Sequence, residues 1–99
     1  MTTTKSLLPD ADLINKAYLK ANALRHPFRM RVCQFLDSKE ESITVTDLYI
    51  KFRVEQSVMS QQLAILRRAG YLLGTREGKQ IAYSLTEEFY RVNEKFGRL

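Results

Sequence analysis

The stretch VTDLYIKFRVEQSVMSQQLAILRRAG, residues 45–70, decides the fold that this sequence predicts. It begins as a short helix over 45–52, because the hydroxyl of Thr44 can cap the first turn of that helix. A three-residue connection leads to a longer helix over 56–69, which Gly70 ends as a C-terminal cap. The inner face of the longer helix is apolar at helical spacing, at Met59, Leu63 and Leu66. A short helix, a tight turn and a longer helix form a helix-turn-helix.

The outer face of the longer helix is polar and carries no acidic side chain. It presents small or amide side chains at helical spacing, namely Gln56, Ser57, Ser60, Gln61 and Ala64. Serine and glutamine can form hydrogen bonds to base edges and phosphates, and the DNA major groove is wide enough to admit a helix. A polar face can also be merely solvated. In the context of a helix-turn-helix, this face predicts a recognition helix.

Residues 71–85 predict a β-hairpin directly after this helix. The two strands cover 71–76 and 81–85, and in the second Ile81, Tyr83 and Leu85 alternate with Ala82 and Ser84, as expected for a half-buried strand. Arg76 and Lys79 lie near the tip of the hairpin, where they can reach phosphates or a minor groove. The hairpin therefore predicts a basic wing beside the recognition helix.

Three further helices flank this unit. The first covers about 10–25, the second begins at Pro27, and the last covers about 86–97 after a cap at Thr86. In the second helix we expect Phe28, Val32, Phe35 and Leu36 to face inward and Arg29, Arg31 and Gln34 to face outward. The order α-α-α-α-β-β-α predicts a mainly α fold with a small β-hairpin, a winged helix-turn-helix forming a single domain over 1–99.

The two terminal helices carry apolar stripes that a small core cannot obviously bury. The first helix has Leu13, Ile14, Ala17, Tyr18 and Ala21, and the last helix has Phe89, Val92 and Phe96. These side chains can pack within one chain or between two copies of it. We interpret the stripes as the interface of a homodimer.

The composition limits the possible functions. Sixteen Lys and Arg against eleven Asp and Glu give a net charge of +5, which favours a polyanion such as double-stranded DNA as partner. The single cysteine, Cys33, allows no disulfide within the chain, and no apolar run approaches the about 18–20 residues of a membrane span. We expect a cytoplasmic protein without membrane contact. One histidine, one cysteine and no glycine-rich phosphate loop predict neither an enzyme nor a cofactor.

Four segments together resemble the ArsR/SmtB family of bacterial winged-helix repressors. They are ALRHPFRMRV at 23–32, VTDL at 45–48, QSVMSQQL at 56–63 and LRRAGYL at 66–72. The resemblance implies a homodimer joined through the first and last helices, which binds an imperfect inverted repeat of DNA. It also implies repression that is relieved when a signal changes the dimer.

The sequence departs from this family at its metal sites. Thiol-based members have Cys-Val-Cys-Asp-Leu where this chain has Thr44-Val45-Thr46-Asp47-Leu48, so hydroxyls replace thiolates. Other members bind zinc through the last helix, but residues 87–96 contain no histidine. We therefore expect no family-type metal site, and the effector is unknown. His26 is interpreted as a helix cap and Cys33 as an inert thiol beside the buried stripe.

Two alternatives retain the same fold. The domain can serve as a winged-helix module for protein or RNA contacts, or as a MarR-like regulator that responds to a small organic ligand. A protein-docking face would more often expose large aromatic or methionine side chains around a pocket. The neutral face of the recognition helix and the basic wing therefore favour a DNA-binding transcriptional repressor.

Overall fold

Helix caps set the boundaries of the elements in the computed structural model, which describes residues 11–95. The helices are α1 (Ala11–Ala23), α2 (Pro27–Asp37), α3 (Val45–Phe52), α4 (Gln56–Arg68) and α5 (Glu87–Lys95). The strands are β1 (Ile43–Thr44), β2 (Leu72–Glu77) and β3 (Gln80–Leu85). These elements confirm the predicted winged helix-turn-helix. Within residues 11–95, no helix is both long and apolar enough to cross a membrane.

Three side-chain caps expected from the sequence are present. His26, Thr44 and Thr86 accept hydrogen bonds from the backbone N–H groups of Phe28, Asp47 and Phe89 at 3.2, 3.2 and 3.4 Å. Each bond satisfies a backbone donor that has no partner inside its helix. The hydroxyl of Thr86 also donates to the carbonyl of Gly70 at 2.6 Å. Thr86 therefore joins the end of α4 to the start of α5.

The sheet has a third strand that the sequence analysis did not predict. β1 pairs antiparallel with β3 through Ile43 opposite Tyr83 and Thr44 opposite Ala82, and the strand order is β1-β3-β2. Two residues are too few to show an alternating pattern, so only pairing with β3 reveals this strand. The order α-α-α-α-β-β-α is therefore corrected to α-α-β-α-α-β-β-α.

The core gathers side chains from every helix and from the wing. Its largest members with almost no exposed surface are Val32, Leu48, Met59, Leu63, Leu66, Tyr71 and Phe89. Phe89 is 2% exposed and its ring meets Tyr71 edge-on, with centroids 6.1 Å apart. The prediction that Phe89 belongs to a dimer surface is therefore wrong. Val92 is half-buried against the same core, and Phe96 lies outside the described residues.

The two helices of the helix-turn-helix end with the same backbone geometry. After α4, Gly70 has a φ of +88°, and the N–H groups of Gly70 and Tyr71 donate to the carbonyls of Arg67 and Leu66 at 2.9 and 3.0 Å. After α3, Arg53 adopts a φ of +56°, and the N–H groups of Arg53 and Val54 donate to Ile50 and Tyr49 at 3.3 and 3.2 Å. Both ends are Schellman motifs, in which the left-handed position favours glycine.

Replacing Gly70 should therefore cost stability through backbone strain alone. A Cβ at Gly70 would meet no atom of the described residues within 4 Å, so crowding adds nothing. We expect Gly70→Ala to lower the free energy of unfolding by about 1 kcal/mol. The control is Arg53→Gly, which removes a side chain from the same backbone region and should leave stability unchanged or raise it. Urea denaturation measures both, and an equal loss in the two variants would contradict this account.

Candidate nucleic-acid interface

The described structure separates the inner and outer faces of α4. Met59, Leu63 and Leu66 have no exposed surface, whereas the predicted base-reading residues Gln56, Ser57, Ser60 and Gln61 are all exposed, as is Ala64. The inner face thus holds α4 in the core while the outer face remains open to solvent. This arrangement meets the geometric requirement for a helix that enters a DNA groove. Binding of DNA by these side chains stays a prediction.

The first turn of α4 adds backbone donors to this surface. The side chain of its N-cap residue, Glu55, makes no capping hydrogen bond, and α4 starts directly beyond it at Gln56. The first N–H groups of a helix lack intrahelical partners and carry its positive end. In the described structure these groups are therefore available to an anion such as a DNA phosphate.

The wing contributes the cations at the other end of the surface. Arg76 and Lys79 are both exposed, Arg76 near the end of β2 and Lys79 in the two-residue turn that it forms with Gly78. The acidic neighbour, Glu77, accepts a hydrogen bond from the hydroxyl of Ser42 at 3.1 Å. This bond joins the carboxylate to the loop before β1, and the two cations against this one carboxylate leave a net positive charge at the tip.

A buried arginine fixes α4 against the rest of the subunit. Arg29, in α2, is only 6% exposed, and its Nε and Nη2 donate to the carbonyls of Ala23 and Asn22 at 2.9 and 3.1 Å. Its Nη1 donates to Oε1 of Gln62, in α4, at 2.8 Å. One guanidinium therefore connects α2, the last turn of α1 and α4. The expectation that Arg29 faces solvent is wrong.

The electrostatics of Arg29 explain why this cation is tolerated in the interior. Its acceptors are two backbone carbonyls at the end of α1, where the helix dipole is negative, and one side-chain amide. Burial lowers the pKa of Arg29, but a guanidinium remains charged at neutral pH. Arg29 lies at the spacing i, i+3, i+4, i+7 with Val32, Cys33 and Leu36, all of which are buried. An inner face of α2 drawn through Cys33 instead of Phe28 would therefore have included Arg29 and predicted its burial.

The sole cysteine lies in the same interior. Cys33 has no exposed surface, as its place beside the buried stripe predicted. Burial raises the pKa of this thiol to about 12, although the nearby charge of Arg29 opposes part of the rise. The thiol is therefore protonated at neutral pH, and its nucleophilic thiolate form is scarce.

No cluster of candidate metal ligands occurs in the part of the chain that the structure describes. Within residues 11–95, no three His, Cys, Asp or Glu side chains are placed to hold a metal ion. The hydroxyl of Thr44 caps α3. This is a position at which thiol-based members of the ArsR/SmtB family, which the sequence resembles, have a cysteine.

A second surface lies on α1, on the side away from the core. Leu13, Ile14 and Tyr18 are 64%, 54% and 63% exposed, and Ala17 and Ala21 beside them are also exposed. Only the opposite side of the helix enters the core, through Ala23. The single chain therefore leaves a continuous apolar helix face in contact with water.

Comparisons with known proteins identify relatives that regulate transcription. No protein-family model matches the chain. It is 42% identical over 65 residues to a biofilm growth-associated repressor of Agrobacterium fabrum, a match covering 66% of this chain and 54% of that protein. A repressor of the same name from Xylella fastidiosa is 34% identical over 88 residues, covering 85% and 75%. The transcriptional repressor SmtB of Mycobacterium tuberculosis is 30% identical over 79 residues, covering 80% and 57%. The chain thus spans about half the length of the first of these relatives.

Solved structures show the same architecture. Rv0081 of Mycobacterium tuberculosis superimposes with a TM-score of 0.67 and 31% identity, over 89% of this chain and 90% of that one. The DNA-binding domain of Mb0332 from Mycobacterium bovis, described as a homodimeric winged helix-turn-helix and a possible ArsR-family regulator, gives a TM-score of 0.73 at 21% identity, over 87% and 79%. The second likeness concerns the fold alone.

The role of Arg29 in holding α4 is tested by its partner in that helix. Gln62→Ala removes the acceptor of a buried guanidinium N–H, so we expect the free energy of unfolding to fall by about 1–2 kcal/mol. The control is Gln61→Ala, the same chemical change one residue earlier at an exposed position, which should change stability by less than about 0.5 kcal/mol. Urea denaturation of the DNA-free protein measures both. Equal losses in the two variants would show that Gln62 does not anchor α4.

Proposed function

Because the chain belongs to the ArsR/SmtB family of winged helix-turn-helix transcriptional regulators, we propose that it is a homodimeric, sequence-specific DNA-binding repressor. Its operator is an inverted repeat, as the two-fold symmetry of a dimer requires. The observation that carries this proposal is the exposed, uncharged polar face of α4, anchored from behind by the core and Arg29. Membership of the ArsR/SmtB family also argues against the alternative of a MarR-like regulator.

The two parts of the surface have different tasks in this proposal. Ser60 and Gln61 contact base edges in the major groove, where a glutamine amide can bond to adenine through two atoms. Arg76 and Lys79 contact phosphates or the adjacent minor groove, and the open N–H groups at the start of α4 contact the backbone. Phosphate contacts set the position of the protein on DNA, and base contacts select the sequence.

The second copy of the chain covers the apolar face of α1. Five neighbouring apolar positions on one helix form the kind of exposed patch that marks an interface in soluble proteins. In a two-fold dimer, the same face is supplied by both chains. Since Phe89 lies in the core, α1 provides the centre of this interface, and α5 contributes through its remaining surface. Two chains carry a combined charge of +10, which favours association with DNA.

A regulator of transcription must reach chromosomal DNA, which in bacteria lies in the cytoplasm. We therefore propose the cytoplasm as its location. The relatives are regulators of transcription, and no enzymatic activity is part of this proposal.

Dimerisation through α1 is tested by placing a charge on its apolar face. We expect Ile14→Glu to convert the dimer into a monomer, because two buried carboxylates without partners would face each other across the two-fold axis. The control is Ile50→Glu, which changes a similarly exposed isoleucine on α3. Light scattering at micromolar concentration should give twice the chain mass for wild type and Ile50→Glu. A monomeric wild type, or a dimeric Ile14→Glu, would refute the assignment.

The division between base and phosphate contacts is tested by four alanine variants on an operator selected from random duplexes. We expect Ser60→Ala and Gln61→Ala to lower discrimination against random DNA by about 1–3 kcal/mol. Arg76→Ala and Lys79→Ala should weaken binding to both duplexes alike. If a dimer neutralises about eight phosphates, log affinity should fall against log salt with a slope of roughly −7, and each wing variant should reduce its magnitude by about 2.

The outcome that contradicts this division is the reverse pattern. Wing variants that lose discrimination, with helix variants that change only the salt slope, would assign base reading to the wing. Failure of the wild-type protein to bind any selected duplex would refute the proposed function itself.

A further inference from the structure

A groove of about 400 Å³ lies between α1, the end of α4 and the first turn of α5. This volume falls within the about 300–1,000 Å³ of small-molecule sites. Three cationic side chains and one carboxylate line it: Lys16, Lys20, Arg68 and Glu88. Leu19 and Ala69 give it an apolar part. The groove therefore combines a surplus of positive charge with a place for hydrocarbon.

The charges in the groove are unevenly paired. Glu88 already interacts with Lys20 and with Arg91, whose Nη1 lies 2.7 Å from its carboxylate. The hydrogen bond from Lys20 lowers the pKa of Glu88, so this carboxylate stays ionised and paired with Lys20. Among the described residues, Lys16 and Arg68 make no ion pair. The unsatisfied charge of the groove is thus positive, and it comes from two helices that face each other.

The groove is separate from the base-reading end of α4. On α1, Lys16 lies about 160° around the helix from Ile14 but only about 60° from Leu13, so the groove lies beside the dimer face and not beneath its centre. Arg68 is at the far end of α4 from Gln56, about 18 Å along the helix axis. A ligand in the groove would therefore not compete with DNA for the base-reading end of α4.

We propose that this groove binds a small organic anion, with its oxyanion head between Lys16 and Arg68 and its apolar part against Leu19 and Ala69. The head receives charge-assisted hydrogen bonds from one lysine and one arginine, and the guanidinium can bind a carboxylate or a phosphate through two atoms. Binding joins α1 to the end of α4. This site is separate from the proposed DNA contacts and does not depend on them.

The test uses the whole DNA-free protein and two probes with the same tail, hexanoate and hexyl phosphate. Calorimetry measures affinity, and amide chemical shifts in NMR spectra locate the site. We expect saturable binding of at least one probe, with the largest shifts at Ala69 and Gly70. The comparison of the two probes shows which head group the site accepts, and inorganic phosphate shows how much the tail contributes.

Three variants then decide the assignment. Arg68→Gln should weaken binding about tenfold or more, whereas Arg67→Gln, the same charge loss on an exposed neighbour outside the groove, should not. Glu88→Gln should strengthen binding severalfold, because it removes the only negative charge in the described lining of the groove, which repels the anionic head group. The proposal is overturned if neither probe binds saturably, if Arg67→Gln and Arg68→Gln lose affinity equally, or if Glu88→Gln weakens binding.

Discussion

The guanidinium of Arg29 is the contact on which the arrangement of the helices depends. A buried cation without a carboxylate partner is tolerated only if its N–H groups find acceptors, since the cost of an unpaired buried charge is several kcal/mol. Its acceptors are the carbonyls of Asn22 and Ala23 in α1 and the amide of Gln62 in α4. The end of α1 and the middle of α4 must therefore keep a fixed distance from α2. The guanidinium of Arg29 thus joins α1, α2 and α4, in addition to the apolar core that they share.

Other polar contacts fasten α5 to this unit. Glu88 interacts with Lys20 of α1, and the hydroxyl of Tyr90 donates to the carboxylate of Asp37, at the end of α2, at 2.8 Å. That hydrogen bond raises the pKa of Tyr90. Two acidic side chains thus join elements within the subunit, although Asp37 itself remains exposed. The cations of α4 and the wing, Arg67, Arg68, Arg76 and Lys79, are exposed as well.

Local patterns carried much of the information about the fold. The caps at His26, Thr44 and Thr86 and the glycine after α4 were readable because each involves residues within a few positions of one another. The inner and outer faces of α4 followed from helical periodicity for the same reason. Strand β1 could not be read in this way, because two residues have no periodicity and the strand exists only by pairing with β3.

The sequence by itself determined which segments are helical, where they begin, and which side of α4 is polar, because these properties depend on neighbours along one chain. Only the tertiary structure decided that Arg29 is buried, that Phe89 belongs to the core rather than to a subunit surface, and that Lys16 and Arg68 line one groove. An amphipathic stripe shows that a side chain leaves water, but not which surface covers it. That choice depends on contacts between residues far apart in sequence, which form only when all the helices are packed together.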